Sequence, residues 1–156
     1  IVRLWSLPGR EPFGELKGHK GPITSVRFSA DSQFVLTTSD DRTARLWRRD
    51  GSAVHTLHAN QPLRSGAFSR DGTTVLTCGT GSKSQAALWQ TTDGTALLHF
   101  TGHNGDIDQG CFAPDGGMVA TTARDGRVCL WPTDPVPVAR RLLPSSAPAG
   151  STTPGR

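Results

Sequence analysis

Two histidines, two threonines, two aspartates and two tryptophans recur in this chain at one spacing. His19 is followed by Thr37, Asp41 and Trp47, and His103 by Thr121, Asp125 and Trp131; both sets run 18, 22 and 28 positions beyond the histidine. A hydroxyl, an imidazole and a carboxylate are the parts of a nucleophilic triad, in which the imidazole takes the hydroxyl proton and the carboxylate orients the ring. Such a triad needs one exposed nucleophile beside its base. A set that occurs twice, each time in step with a tryptophan, does not read as a triad. An indole N–H can only donate, and a threonine hydroxyl can accept it while passing its own proton on. No catalytic residue is expected.

The other candidates for chemistry are weaker. Asp106 and Asp108 have the Asp-x-Asp spacing of some calcium loops. Calcium takes six or more oxygens, and this short run supplies too few, so no metal site is expected. No glycine-rich loop leads into a helix to cradle a phosphate, and no cofactor is implied. Cys78, Cys111 and Cys129 are an odd set without Cys-x-x-Cys spacing, which argues against a disulfide framework and against zinc. Two of the three alternate with apolar neighbours, so buried, reduced thiols and a cytoplasmic setting are expected.

Composition narrows the class further. Apolar residues make up 35% of the 156, and Gly (18) and Pro (11) are plentiful, as suits short strands joined by tight turns. No apolar run approaches the roughly 18 to 20 residues of a membrane helix, and no charged-then-apolar leader opens the chain. The net charge is +4. Its cations are scattered and the chain has no Tyr to stack bases, so nucleic acid is not the expected partner. Arg42, Arg45, Arg48 and Arg49 are the nearest thing to a basic patch, and they read as a solvated rim. The first residue is Ile, which suggests a processed or truncated piece of something longer.

The elements that position these residues come from a repeat. Trp5, Trp47, Trp89 and Trp131 follow one another at steps of 42, each directly after a Leu. The text before the second is GHKGPITSVRFSADSQFVLTTSDDRTARLW, and before the fourth GHNGDIDQGCFAPDGGMVATTARDGRVCLW. The copy between them is looser, and only the end of the first is present. Ile23–Phe28, Phe34–Thr38, Thr43–Trp47 and Ala53–Leu57 read as strands. SADSQ, SRDGT and APDGG link the first two strands of successive copies, with Asp-Gly the strongest turn signal among them. The continuous apolar run Phe34–Val35–Leu36 predicts a strand covered on both faces. In the first copy, Val2–Leu7 and Phe13–Leu16 read as the third and outer strands. The outer strand of the last copy is expected near Pro135 and Pro137, where an edge tolerates a missing N–H.

Over roughly residues 2–143 the chain resembles the WD40 family. The likeness rests on Gly18–His19 and Gly102–His103, on an Asp six residues before Trp47 and Trp131, and on the closing Leu-Trp. The Asp that usually follows the Trp is replaced by Arg48, Gln90 and Pro132. The resemblance implies an all-β propeller of four-stranded antiparallel blades, here an incomplete ring. Residues 1–17 would end a truncated blade, 18–57 and 101–143 form blades, 58–100 form a degenerate one, and 144–156 form a disordered Pro/Ser/Gly/Thr-rich tail. It also implies that His19, Thr37, Asp41 and Trp47, like His103, Thr121, Asp125 and Trp131, form structural tetrads. The degenerate copy keeps only Thr77 and Trp89; Lys83 stands where the Asp would be, Asn60 is the candidate substitute partner, and the loop over Thr80–Gln85 is about two residues longer.

What the resemblance implies about function is a non-catalytic scaffold that binds a protein or peptide. The alternative is a C-terminal regulatory or sensor domain of a larger signalling enzyme, a kinase or NTPase. The expected contact surface is made by the loops before the first strand and after the second: Lys20, Asp40, Arg42, Arg64, Lys83, Asn104, Asp106 and Arg124. Three and a half blades do not close a ring, so further blades upstream, or a second copy, are expected to cover the open faces.

Overall fold

Alternation and turn chemistry do most of the local work. The computed structural model describes residues 1–7, 9–81 and 84–134, and within them the chain is strand and turn throughout. A ribbon of β1 (Val2–Trp5) and β2 (Pro12–Leu16) comes first. Two four-stranded antiparallel sheets follow: β3 (Ile23–Phe28), β4 (Phe34–Ser39), β5 (Thr43–Arg48) and β6 (Ala53–His58), then β7 (Leu63–Phe68), β8 (Thr74–Gly79), β9 (Gln85–Gln90) and β10 (Ala96–Thr101). A three-stranded sheet of β11 (Ile107–Phe112), β12 (Met118–Ala123) and β13 (Val128–Pro132) ends the described chain. These four sheets are blades 1 to 4 of an open arc. The tail and the outer strand expected near Pro135 and Pro137 lie outside the described residues. In blade 1 the third strand stops at Trp5, short of the expected Leu7, because the chain turns there: Ser6 N–H bonds the Glu11 carbonyl and Arg10 N–H the Ser6 carbonyl.

The blades stack face to face. The β4, β5 and β6 face of blade 2 gives Leu36, Ala44 and Leu57 to a core shared with Leu63, Val75, Ala87 and Trp89 of blade 3. Leu76, Cys78, Ala86, Leu88 and Phe100 of blade 3 meet Ile107 and Val119 of blade 4. Leu4 and Leu16 of blade 1 meet Val35 and Trp47 of blade 2. Trp47, Trp89 and Trp131 thus face the preceding blade, and the second strand of a complete blade is covered on both sides, as Phe34–Leu36 predicts. Close stacking excludes a side chain at one repeat position. A Cβ on Gly66 would lie 2.8 Å from Leu36, and one on Gly110 2.7 Å from Leu76; blade 2 carries Val26 there, where blade 1 offers no inner strand.

Three devices repeat in register. The pairing of the first two strands slips between Ile23 and Ser25, between Leu63 and Ser65, and between Ile107 and Gln109. Such a bulge re-aims the extra side chain, here Thr24, Arg64 and Asp108 on the three innermost strands. Next, the turn after the first strand is closed by an Asp carboxylate. Asp31 accepts from Ser29 Oγ and Gln33 N–H, and Asp71 from Ser69 Oγ and Thr73 N–H. Those bonds hold both carboxyls below the usual carboxylate range. Finally, the same turn needs a left-handed residue, which is Gly72 (φ 71°) and Gly116 (φ 73°) but Ser32 (φ 59°) in blade 2. A left-handed non-glycine residue carries a steric cost of about 1 kcal/mol. Ser32→Gly is therefore expected to raise stability by a few tenths to about 1 kcal/mol, after the larger unfolded-state entropy of glycine is subtracted. A denaturant midpoint lower than the parent's would refute it.

Candidate functional site

Loops before the first strand and after the second strand of each blade meet on one rim, and the recurring His, Thr, Asp and Trp lie just beneath it. In blade 2, Trp47 Nε1–H donates to Thr37 Oγ1 at 2.9 Å, and Thr37 lies 2.7 Å from His19 Nε2. His19 Nδ1 lies 2.9 Å from Asp41 Oδ2. The acceptor role of Thr37 toward the indole leaves its proton for Nε2, which puts the imidazole proton on Nδ1, facing the carboxylate. Blade 4 repeats the chain: Trp131 to Thr121 at 2.8 Å, Thr121 to His103 Nε2 at 2.9 Å, and His103 Nδ1 to Asp125 Oδ2 at 3.1 Å. Both imidazoles also set an edge against their tryptophan, at 6.5 and 6.2 Å between centroids. Neither threonine hydroxyl is exposed, and each is fully committed, so the set has no free nucleophile.

The carboxylates carry the network outward to the rim. Asp41 Oδ2 accepts the Lys20 backbone N–H at 2.8 Å, and Asp125 Oδ2 the Asn104 N–H at 2.9 Å. Burial acts to raise the Asp41 pKa, but hydrogen bonds from Thr43, from the Lys20 N–H and from His19 outweigh it and hold the carboxyl far below its ordinary 3.8. Asp125 is lowered as well, first by the Asn104 N–H. The rim loops of blades 2 and 4 are thus pinned to the interior by carboxylates that remain charged.

Blade 3 departs from the pattern. Trp89 Nε1–H still bonds Thr77 Oγ1 at 2.9 Å, but Ala59 stands at the histidine position. Asn60, the expected substitute, does not join the chain of bonds. Gln61 does the neighbouring work: its amide bonds the Gln85 carbonyl at 2.9 Å and lies across Gly79, where a Cβ would collide with it. His99, from the outer strand β10, sets its ring edge on Trp89 at 6.3 Å. A space of about 30 Å³ remains among Thr77, Gln61, His99 and their neighbours, enough for about one water. The sequence signs of this exchange are Ala59 at the histidine position and Gly79, where blades 2 and 4 carry Ser39 and Ala123.

The rim residues fall into two groups. Arg64 pairs with Asp108 at 3.2 Å, and Arg124 with Asp108 at 3.3 Å and with Asp106 at 3.7 Å. Asp106 also accepts the Gly81 N–H of the longer blade 3 loop at 2.7 Å. Three of the four Asp-x-Asp oxygens are therefore engaged by two arginines and a backbone amide. Asp108, the bulge residue of β11, was not on the expected contact surface, yet it joins the two arginines. Thr24, the matching bulge residue of β3, reaches the Leu63 carbonyl of the next blade at 2.7 Å. Lys20, Asp40 and Arg42 form the second group, on blade 2, and share no ion pair with the first among the described residues. Asn104 is exposed on blade 4, and Lys83 lies outside the described residues.

The four arginines in and beside β5 do not make one patch. Arg42 sits at its rim end, whereas Arg48 and Arg49 sit at the other, about 20 Å away at 3.3 Å per residue; Arg48 lies over the Phe34 ring. The thiols also differ from expectation. Cys78 is buried, and burial pushes its pKa up to about 12, but Cys111 is exposed and Cys129 half-buried. Cys111 belongs to the innermost strand β11 of the last described blade, whereas its blade 3 counterpart Ala67 packs against the blade 4 core. Among the described residues no helix is long and apolar enough to cross a membrane.

Sequence comparison gives the same picture. The family model described as "WD domain, G-beta repeat" matches residues 10–48 and 94–132. Similar proteins include Pre-mRNA-processing factor 19 homolog 2 of Arabidopsis thaliana, 28% identical over 178 residues, covering 82% of this chain and 33% of that protein. Transducin beta-like protein 2 of Homo sapiens is 26% identical over 127 residues, covering 76% of this chain and 28% of its own. Protein HIR1 of Yarrowia lipolytica is 27% identical over 124 residues, covering 80% and 10%. The chain spans a third or less of each of these relatives.

Proposed function

This chain belongs to the WD40 family, the WD domain, G-beta repeat, and from that premise we propose that it is a non-catalytic scaffold whose tetrad-bearing rim holds a protein or peptide partner. The observation that carries this reading is the pinning of the rim loops. Lys20 and Asn104 each give a backbone N–H to a tetrad carboxylate at 2.8 and 2.9 Å. Their exposed side chains, and those of Arg42 and Arg124 beside the same carboxylates, are therefore presented on short loops held by rigid strands. A preorganised surface of this kind loses little entropy on binding. The tetrads act in this reading as structural ties, and the other blades of a ring cover the faces at the two ends of the arc. The odd set of free cysteines supports a reducing, cytoplasmic setting.

The test compares the two rims. With a partner retained on the immobilised protein, alanine at Lys20, Arg42, Asn104 or Arg124 is expected to weaken retention severalfold. Alanine at the opposite turns Asp31, Asp71 or Asp115 is expected to leave it within twofold, after correction for any loss of folded protein. Equal losses on both rims would refute the assignment.

A further inference from the structure

We propose that the blade 2 part of the rim is a docking site for an acidic segment of a partner protein, bound by Arg45, Arg42 and Lys20. The proposal rests on the reading of this rim as the partner surface and names the chemistry of what binds there.

Charge balance is the first reason. On blades 3 and 4 the rim arginines are compensated: Arg64 by Asp108, and Arg124 by Asp106 and Asp108. On blade 2, Lys20, Arg42 and Arg45 have no ion pair among the described residues. Asp41 is no counter-ion for them, because its side chain is 10% exposed and its oxygens accept from Thr43, His19 and the Lys20 backbone. Asp40 is the one carboxylate left to those two loops.

Arg45 gives the second reason. The same repeat position carries Arg3 in blade 1, which pairs with Glu15 at 3.2 Å from the neighbouring strand. Opposite Arg45 stands Thr56, which offers no charge. The guanidinium lies 5.8 Å from the Trp47 ring centre and against Gly18, and its Nε is buried without a hydrogen-bond partner. A planar guanidinium without an ion pair is suited to a carboxylate that takes two of its N–H groups.

Arg42 gives the third. It holds φ 67° at a turn where blade 4 has Gly126 at φ 77°. Glycine fits this conformation freely and arginine does not, so the backbone here is strained by a side chain that makes no ion pair among the described residues. Strain of this kind gathers at binding sites. The three residues also flank one tetrad: Arg45 packs on Gly18, Lys20 N–H bonds Asp41, and Arg42 follows Asp41 in the chain. A nucleic acid would want a longer row of cations and a ring to stack on; Arg48 and Arg49 are a strand's length away and Trp47 is covered.

The experiment is fluorescence anisotropy of the full chain with a labelled deca-glutamate peptide, and in parallel with a labelled ten-nucleotide thymidine strand. Arg42→Gly and Arg45→Gln are each expected to weaken peptide binding at least fivefold, and Arg70→Gln, at an exposed arginine of the opposite turns, to change it less than twofold. Arg42→Gly relieves the strained turn, so its denaturant midpoint is expected to be no lower than the parent's, which separates lost binding from lost fold. No peptide binding, an equal loss in Arg70→Gln, or tighter binding of the nucleotide strand would each overturn the proposal. If the two rims still differ toward a natural partner, only the acidic chemistry has failed; if they do not, the rim reading itself has failed.

Discussion

The 156-residue chain, taken by itself, is expected to self-associate in solution, with a mass in light scattering that exceeds 16.6 kDa and rises with concentration. Equivalent positions of the repeat show why. Trp47 and Trp89 are 2% and 7% exposed, but Trp5 is 55% exposed; Phe28 beside it is 56% exposed. At the other end, Val128 and Leu130 are 68% and 63% exposed, whereas their counterparts Ala44 and Leu46 are at 0% and 2%. The ribbon of β1 and β2 covers Val35 and Trp47 but leaves the inner strand β3 open, with a groove of about 810 Å³ lined by Trp5, Phe13 and Phe28. At about 25 cal/mol per Å², every 200 Å² of apolar face left in water forgoes about 5 kcal/mol. That is a large part of a domain's roughly 5 to 15 kcal/mol. Leu130→Lys together with Phe28→Ser is expected to bring the mass down toward the monomer. A cooperatively unfolding monomer of the unaltered chain would show that these faces need no cover.

Removal of the blade 4 imidazole, His103→Ala, is expected to lower the unfolding free energy by about 1–3 kcal/mol, the cost of a buried hydroxyl left without its acceptor and of the space left behind. His103 is 4% exposed and Thr121 not exposed at all, so water does not readily take the place of the ring. Asp125 loses a donor at the same time. The denaturant midpoint is the measurement, and a variant as stable as its parent would sink the structural reading of the tetrads. Asp41 supplies a companion result in acid. Its pKa is lowered in the fold, so its ionised form contributes stability that is fully present above the ordinary carboxylate value near 3.8 and is lost as the pH falls below it. The stability difference between the parent and Asp41→Asn is therefore expected to shrink as the pH drops through 4 and below, and a difference that stays constant would count against the charged Asp41.

Much of this was legible in the residues because the information is local or periodic. The 42-residue step of Leu-Trp, the β-branched runs and the Asp-rich turns name the strands to within a residue or two, except where β1 stops at Trp5. The tetrads were implied by the resemblance to the WD40 family, carried by residues that keep their spacing in two copies. What the residues did not disclose depends on contacts between blades. Nothing local distinguishes Trp5 from Trp47, or Leu130 from Leu46, since only a neighbouring blade decides which is covered. The junction of Asp108 with Arg64 and Arg124 arises from a bulge that turns one extra side chain along the inner strand. Gln61 and His99 take over beside Trp89 because Ala59 and Gly79 leave room, and His99 comes from a strand ten residues further along the chain. Packing across sheets joins residues by geometry, not by spacing, so it is the tertiary structure that decides which members of a regular repeat are core, which are rim and which are left open.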